Sequence, residues 1–306
     1  MTPALGLDLG ASGIRAYLSG VGATQAQITS AARESSREQE TISLIEKAFH
    51  ETGKPQVDSA CLGMSGYAYL DVQPSNIADS IHKLFGAKRV VITSDMVTSH
   101  FAHFGQEPGT VVVVGTGTLC FSIGEKSHRR IDGLGAGLGD FGSGYWIGHQ
   151  AMRGAVREKE LSGSSDLLRL LEAELGSRDQ WPMKFASHAF STFQIAQLSK
   201  ICAELAASGD ALAITITTEA GRLAAESAIA ASKSTGVSKV AFGGSVLGEA
   251  NPVARASFEE TIASAGLTST PMLHSPGKGA LAIAENLDSA RLSFLRNSEL
   301  IFESSK

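Results

Sequence analysis

Apolar and polar positions along the chain fall into short runs with strand periodicity, punctuated by glycine and followed by stretches with helical spacing. The first run, residues 4–10 (ALGLDLG), predicts a strand; a turn at Ala11-Ser12-Gly13 and a returning strand at 14–18 make it a hairpin. Residues 21–30 continue as a third strand of the meander. A helix is predicted over 41–51, with Ile42, Ile45 and Phe49 on one side. Then come a strand at 59–64, a helix at 76–85 announced by Pro74-Ser75, a strand at 89–93 and a helix at 96–104. After Glu107-Pro108-Gly109 the pattern starts again: a strand at 111–114, a Gly-Thr-Gly-Thr turn (115–118) and a strand at 119–123. A polar hairpin tip at 125–130 leads to a glycine-dense loop carrying Asp140 and an amphipathic helix over 143–156. The remainder is helix-rich, over 166–175, 194–207 and 210–234. It closes with a strand at 239–242, a helix at 252–265, a short strand at 271–274 and a helix at 277–287.

A meander followed by alternating helix and strand predicts the α/β class, with mixed sheets and helices on both faces. Both halves open with strand, glycine turn and strand, a weak internal echo of a duplicated fold. The chain length of 306 residues allows two domains, since single cores seldom grow past about 250–300 residues. The expected boundaries are 1–108 and 109–306, with a hinge near 105–109 and the last helix free to pack back on the first domain.

Composition narrows the function. Apolar residues make up 43% and charged residues 19%, ordinary for a globular protein. A net charge of −5 disfavours nucleic-acid and anionic-membrane partners, whose binding needs basic patches. Cys61, Cys120 and Cys202 lie far apart without a CxxC pair, the pattern of reduced thiols rather than of a disulfide framework or zinc site. The opening MTPALGLDLG lacks the features of a signal peptide, and no apolar run approaches the roughly 20 residues of a membrane span. The expectation is a cytoplasmic protein.

Neither GxGxxG nor GxxxxGK[ST] occurs, which removes the two commonest nucleotide signatures. Glycines around a strand pair nevertheless let backbone amides approach a ligand, and such amides beside a helix N-terminus suit a phosphate or another oxygen-rich anion. Three carboxylates are candidates for chemistry. Asp8, before the Gly10–Gly13 turn, can hold a magnesium ion directly or through water, or simply accept turn amides. Asp95 ends the strand at 89–93, where α/β sheets place ligands, and can act as a general base or as a helix cap. Asp140 can bind a polyol or cap the helix at 143. Tyr145 and Trp146 read as core anchors. His100 and His103 lack a third ligand and read as ordinary histidines. Gly243-Gly244-Ser245 is a sharp turn or a place where an adenine ring meets backbone.

Taken in order, LGLDLGASGIR, LGMSG, VITSD, VVVVGTGTLC, GDFGSGYWIG, VAFGGSVLG and SPGKGALAIAE resemble the N-acetylglucosamine kinase branch of the BadF/BadG/BcrA/BcrD ATPase family, in the hexokinase–actin superfamily. The resemblance covers nearly the whole chain, and GDxGSGYWIG is its most telling part. It implies two actin-like (ribonuclease H-like) domains, each a mixed five-stranded sheet flanked by helices, with a cleft between. It further implies ATP and Mg²⁺ as cofactors and a small sugar as substrate; family members are often homodimers. By this resemblance Asp8 (metal), Gly10, Ser12, Gly13 and Arg15 form the first phosphate motif, Gly115, Thr116 and Gly117 the second, and Gly243 and Gly244 the adenosine motif. Asp95 stands at the catalytic base, where it would take the proton of the sugar 6-hydroxyl as that oxygen attacks the γ-phosphate. Thr118, Gly133 and Asp140, with Asp95, stand on the sugar side.

Four positions or segments depart from the family pattern. Ser12 stands where threonine is usual, Phe141 replaces the glutamate of GDEGS, and Leu134 replaces the tryptophan of GGWG. The asparagine-bearing sugar loop has no clear counterpart in 30–39. The last three departures are on the sugar side, so glucosamine, N-acetylmuramate or another hexose derivative stay open beside N-acetylglucosamine. Two further classes stay open: a BadF-type ATPase that activates a partner enzyme, and a sensor of sugar and nucleotide without catalysis.

Overall fold

A computed structural model describes residues 3–10, 13–20, 26–29, 36–67, 72–298 and 300–306. In chain order the elements are β1 (Ala4–Gly10), β2 (Gly13–Leu18), β3 (Ala26–Thr29), α1 (Arg37–Glu51), β4 (Ser59–Met64), α2 (Pro74–Phe85), β5 (Arg89–Ser94) and α3 (Asp95–Phe104). There follow β6 (Gly109–Val114), β7 (Thr118–Ile123), β8 (His128–Asp132), α4 (Gly144–Ser162), α5 (Asp166–Leu175), α6 (Trp181–Ala186), α7 (Thr192–Ala207) and α8 (Ala211–Thr235). The chain ends with β9 (Lys239–Gly243), α9 (Pro252–Ser264), β10 (Thr268–Pro271), α10 (Pro276–Glu285), α11 (Ala290–Asn297) and β11 (Ile301–Ser305).

These elements form two compact units, Met1–Glu107 with Leu273–Lys306, and Pro108–Met272. The second unit therefore ends at Met272, not at the chain's end, because α10, α11 and β11 all return to the first sheet and its helices.

The first unit is built on a mixed sheet of order β11-β5-β4-β1-β2-β3. It carries a sixth strand beside the expected five, because β11 pairs antiparallel with β5 at the edge. Along β1, Leu5, Leu7 and Leu9 enter one core with Ile14, Leu62, Ile77, Phe85 and Ile92. On the other face, Gly6 lies against α10. There α10 packs on β1 and on α3, and the approach is close: a Cβ on Gly279 would stand 1.8 Å from the Thr98 carbonyl oxygen. Only a residue without a side chain fits at that crossing. Arg89 of β5 is tied to the C-terminal segment through Glu303 of β11 at 2.8 Å and Asp288 at 2.9 Å.

The second unit has a sheet of order β10-β9-β6-β7-β8. Its β6, β9 and β10 run parallel, while β6, β7 and β8 form an antiparallel meander. The expected polar tip at 125–130 contains the start of β8, a strand the pattern does not signal because His128, Arg129 and Arg130 are polar. A stripe of alanines on α8 (Ala213, Ala220, Ala224, Ala228, Ala231) is fully buried, and their small side chains let the helix lie close to the sheet and to α9. Around it pack Val112, Cys120, Ile147, Leu198, Phe242 and Phe258. Among the described residues no single helix is long and apolar enough to cross a membrane; α7 and α8 pass that test only as a pair bent by 117°.

Candidate functional site

In the first unit, β1, β4 and β5 run parallel, with Leu9 opposite Met64 and Met64 opposite Ser94. Their carboxyl ends therefore bring Asp8, Ser65 and Asp95 to one edge. Asp8 is buried and lies opposite Arg15 on β2, whose guanidinium approaches to 3.6 Å. The Asp8 carboxyl is pushed up to about 6, chiefly by burial, with Arg15 drawing it down and the charge of Asp95 pushing it up. The two carboxylates thus act on one another.

Asp95 is the first residue of α3, and it is not the cap. That role belongs to Ser94, whose hydroxyl accepts the Val97 N–H at 3.3 Å. The Asp95 carboxylate is held instead by Ser65, whose hydroxyl donates to Oδ2 at 2.6 Å. Its carbonyl accepts the hydroxyls of Thr98 and Ser99, at 3.0 and 2.7 Å. Ser65 is a site residue that the sequence marks only as the end of a strand. Gly10 and Gly13 face each other across the first hairpin. Ser12 lies outside the described residues.

In the second unit the turn between β6 and β7 closes on itself, the Gly115 N–H donating to the Gly117 carbonyl at 2.9 Å. The N-terminus of α4 is docked on this turn. Gly144 N–H donates to the Gly115 carbonyl at 2.7 Å and Tyr145 N–H to the Thr116 carbonyl at 3.1 Å. Trp146 N–H is capped by the Ser143 hydroxyl at 3.1 Å. The first three amides of the helix thus have partners inside the protein. This corrects the expectation that the helix end itself receives an anion: it positions the turn.

Asp140 is also not the helix cap. It is buried, adopts a left-handed backbone (φ 58°), and lies against Gly117. The backbone amides of Thr118 and Gly133 draw its carboxyl pKa down. Its pKa nevertheless stands above the ordinary carboxylate value because burial, joined by the charge of Asp132, outweighs those amides and Arg130. Thr118 ties the loop together: its hydroxyl donates to the Phe141 carbonyl at 2.8 Å and its carbonyl accepts Gly133 N–H at 2.8 Å. Thr118, Gly133 and Asp140 are thereby brought into one cluster.

Gly243 ends β9, directly opposite Val113 of β6. Gly244 (φ 97°) folds over the end of β6, where a Cβ would stand 2.2 Å from the Val114 carbonyl oxygen. The Gly243-Gly244 turn and the Gly115–Gly117 turn are therefore neighbours at the same sheet edge.

Among the described residues the histidine pair belongs to no group of three or more potential metal ligands. His100 is buried with Nε2 3.0 Å from the Glu107 carbonyl oxygen, and His103 stands near His274. All three cysteines are buried, and burial raises their thiols well above the ordinary range. Trp146 is half-buried and, with Trp181, Arg153 and Ile216, lines a groove of about 1150 Å³ that includes none of the predicted site residues.

The fold has close counterparts. A Chromobacterium violaceum structure superposes with a TM-score of 0.68 at 23% identity, covering 93% of this chain and 99% of that one. A Streptomyces griseus ROK family glucokinase, solved with glucose and AMPPNP, gives 0.59 at 17%, covering 92% and 98%. By sequence, the N-acetylmuramic acid/N-acetylglucosamine kinase of Clostridium acetobutylicum is 25% identical over 55% of this chain and 56% of its own length. The N-acetyl-D-glucosamine kinase of Dictyostelium discoideum is 30% identical over 54% of this chain and 53% of its own. The chain thus spans about half the length of the curated relatives it matches. Over residues 5–284, from β1 to α10, it matches the model of one family throughout, a span that takes in Asp8, Asp95, Asp140 and the three glycine turns: the chain belongs to the BadF/BadG/BcrA/BcrD ATPase family.

Proposed function

We propose that this protein is an ATP-dependent sugar kinase that phosphorylates the 6-hydroxyl of an amino sugar, most simply N-acetylglucosamine. The observation that carries the reading is Asp95: a carboxylate at the carboxyl end of a strand, oriented by Ser65 at 2.6 Å and close enough to Asp8 to perturb it. A base must be held where it can reach one proton, and the Ser65 bond fixes the Asp95 carboxylate at the carboxyl end of the strand. In the proposed step the sugar oxygen bonds to the γ-phosphorus, the bond from phosphorus to the β,γ-bridging oxygen breaks, Asp95 takes the hydroxyl proton, and ADP leaves. The names of the two curated relatives support this reaction class.

The remaining roles follow residue by residue. Gly10, Gly13 and Arg15, with Ser12, are the first phosphate motif of this reading; Gly115, Thr116 and Gly117 are the second. Gly243 and Gly244 receive the adenosine, while Thr118, Gly133 and Asp140 receive the sugar. Among the described residues no group of three or more His, Cys, Asp or Glu side chains could hold a metal. Magnesium needs only one or two carboxylates when it keeps most of its waters and binds phosphate. Asp8 fits that mode, since burial and Asp95 leave its negative charge poorly compensated. When bound, the ion would neutralise charge on the β- and γ-phosphates. Sugar and nucleotide are the partners in this reading; nucleic acid and membrane are not, pairing into a homodimer is compatible with it, and it belongs in the cytoplasm.

The test is Mg²⁺-ATP turnover against N-acetylglucosamine, glucosamine, N-acetylmuramate, N-acetylmannosamine and glucose. Saturable ADP release with one amino sugar is expected. ATP hydrolysis that no sugar stimulates would overturn the kinase reading in favour of the activator or sensor class.

A further inference from the structure

Two elements, α11 and β11, lie after residue 284, where the family match ends. Both are fastened around α3, the helix that begins with Asp95. Just before that helix, Thr93 stands opposite Ile301 in the antiparallel pair of β5 and β11. It is fully buried, and its hydroxyl donates to the Leu300 carbonyl at 2.8 Å. Just after the helix, the buried Arg291 of α11 donates from Nε to the Gln106 carbonyl, also at 2.8 Å. The 10 residues of α3 separate these two holds, about 15 Å at a rise of about 1.5 Å per residue. Between them α10 crosses α3 at Thr98, so the helix is held at its start, its middle and its end. Further bonds keep the terminal segment in place. His82 Nε2 lies 3.0 Å from the Ser304 hydroxyl, Lys306 pairs with Asp79 at 2.7 Å, and Glu303 is shared by Arg89 and Arg296.

Covering the edge of β5 needs only the backbone pairing that β11 supplies. A buried hydroxyl and a buried guanidinium are a different matter, because each costs free energy unless its hydrogen bonds are made. Here each joins the terminal segment to a residue just outside one end of α3. We propose that α11 and β11 form a clamp that positions the base, with Thr93 and Arg291 as positioning residues that act on Asp95 through the placement of α3. The proposal rests on the kinase reading for what Asp95 does, and on the geometry alone for the clamp. Ser65 orients the Asp95 carboxylate, whereas the clamp sets where the helix beneath it begins. A base set back from its hydroxyl loses rate rather than substrate affinity.

The experiment uses full-length Thr93→Val, Thr93→Ser and Arg291→Met with two readouts. Valine keeps the shape of threonine and removes the donor, serine keeps the donor, and methionine keeps much of the arginine stem without its N–H groups. Hydrogen exchange of the ligand-free protein reports on α3, with α1 of the same unit as the internal reference. Steady-state kinetics use Mg²⁺-ATP and whichever of the sugars named above is turned over fastest. Thr93→Val and Arg291→Met should speed exchange of the α3 amides about tenfold with α1 unchanged. They should lower kcat about five- to tenfold while both KM values stay within about twofold. Thr93→Ser should restore both readouts. Unchanged α3 exchange, exchange that rises equally in α1, an unchanged kcat, a loss that falls on KM, or failure of serine to rescue would overturn the clamp and leave the kinase reading standing. Absence of turnover on every sugar would overturn the kinase reading, and the clamp would then stand or fall by exchange alone.

Discussion

The two units place their carboxylates by different means. In the first, Asp8 and Asp95 stand at the ends of neighbouring strands, and what holds them is other side chains: Arg15 at 3.6 Å and Ser65 at 2.6 Å. In the second, Asp140 sits in a loop with no strand or helix of its own, and what holds it is that loop's backbone, tied down through Thr118, Arg130, Gly135 and Ser143. Strand register gives accurate positioning with little dependence on neighbours in sequence, whereas a backbone-held loop depends on every turn within it. The first arrangement suits a group that must move one proton; the second suits recognition, where loop composition can change and the frame persist.

That contrast can be broken from either side. The largest effect is expected at Asp95: Asp95→Asn should fold and bind ATP yet lose turnover by about 10²–10⁴-fold, the usual worth of a general base. Wild-type-like steady-state rates in that variant would remove Asp95 from the chemistry. Next comes Asp8. Its folded pKa lies above the ordinary 3.8, so the folded protein holds this proton more tightly than the unfolded chain. The resulting stability is complete below about 3.8 and is lost as pH rises towards 6. At about 1.4 kcal/mol per pH unit, the rise to about 6 is worth at most about 3 kcal/mol. Asp8→Asn should therefore gain stability relative to the wild type by up to that amount between pH 4 and 7, read from urea midpoints without metal or nucleotide. Parallel pH curves for the two proteins would show that the carboxyl is not strained by burial.

Smaller effects separate the loop from the strands. Thr118→Val keeps the shape but leaves the Phe141 carbonyl without its donor, a loss of about 1–3 kcal/mol. It should raise KM for the sugar more than it lowers kcat, and the opposite split would place Thr118 with the reacting groups. Ser65→Ala should lower kcat by about tenfold with ATP affinity unchanged, since it removes a hydrogen bond that orients the Asp95 carboxylate without removing the carboxylate. An unchanged kcat would show that α3 alone orients the base.

Much of this was legible in the pattern of residues. The helix over 166–175 matches its prediction at both ends, and the hairpin at β1–β2 excludes a Rossmann start as expected. Asp8 and Asp95 were visible because glycine, serine and strand ends surround them. Other features escaped for identifiable reasons. Strand β8 is an edge strand of polar residues, and edge strands need no apolar alternation. Ser65 matters through a partner thirty positions away, a distance that local periodicity does not encode. Ser94 and Ser143, rather than the neighbouring aspartates, are the helix caps, and Ser and Asp have near-equal preference for that position. The left-handed backbone of Asp140 belongs to a loop whose path is set by hydrogen bonds to β7 and β8, so no rule of spacing predicts it.

The return of the chain to the first unit has a consequence for the order of events during synthesis. Everything the second unit needs is made by Met272, while the first unit receives α10, one wall of its core and the partner of α3, only with the final segment Leu273–Lys306. The second unit can therefore fold while the first still waits on the ribosome with one face of β1 uncovered. The helix that begins with Asp95 is then locked last, after every glycine turn has been made.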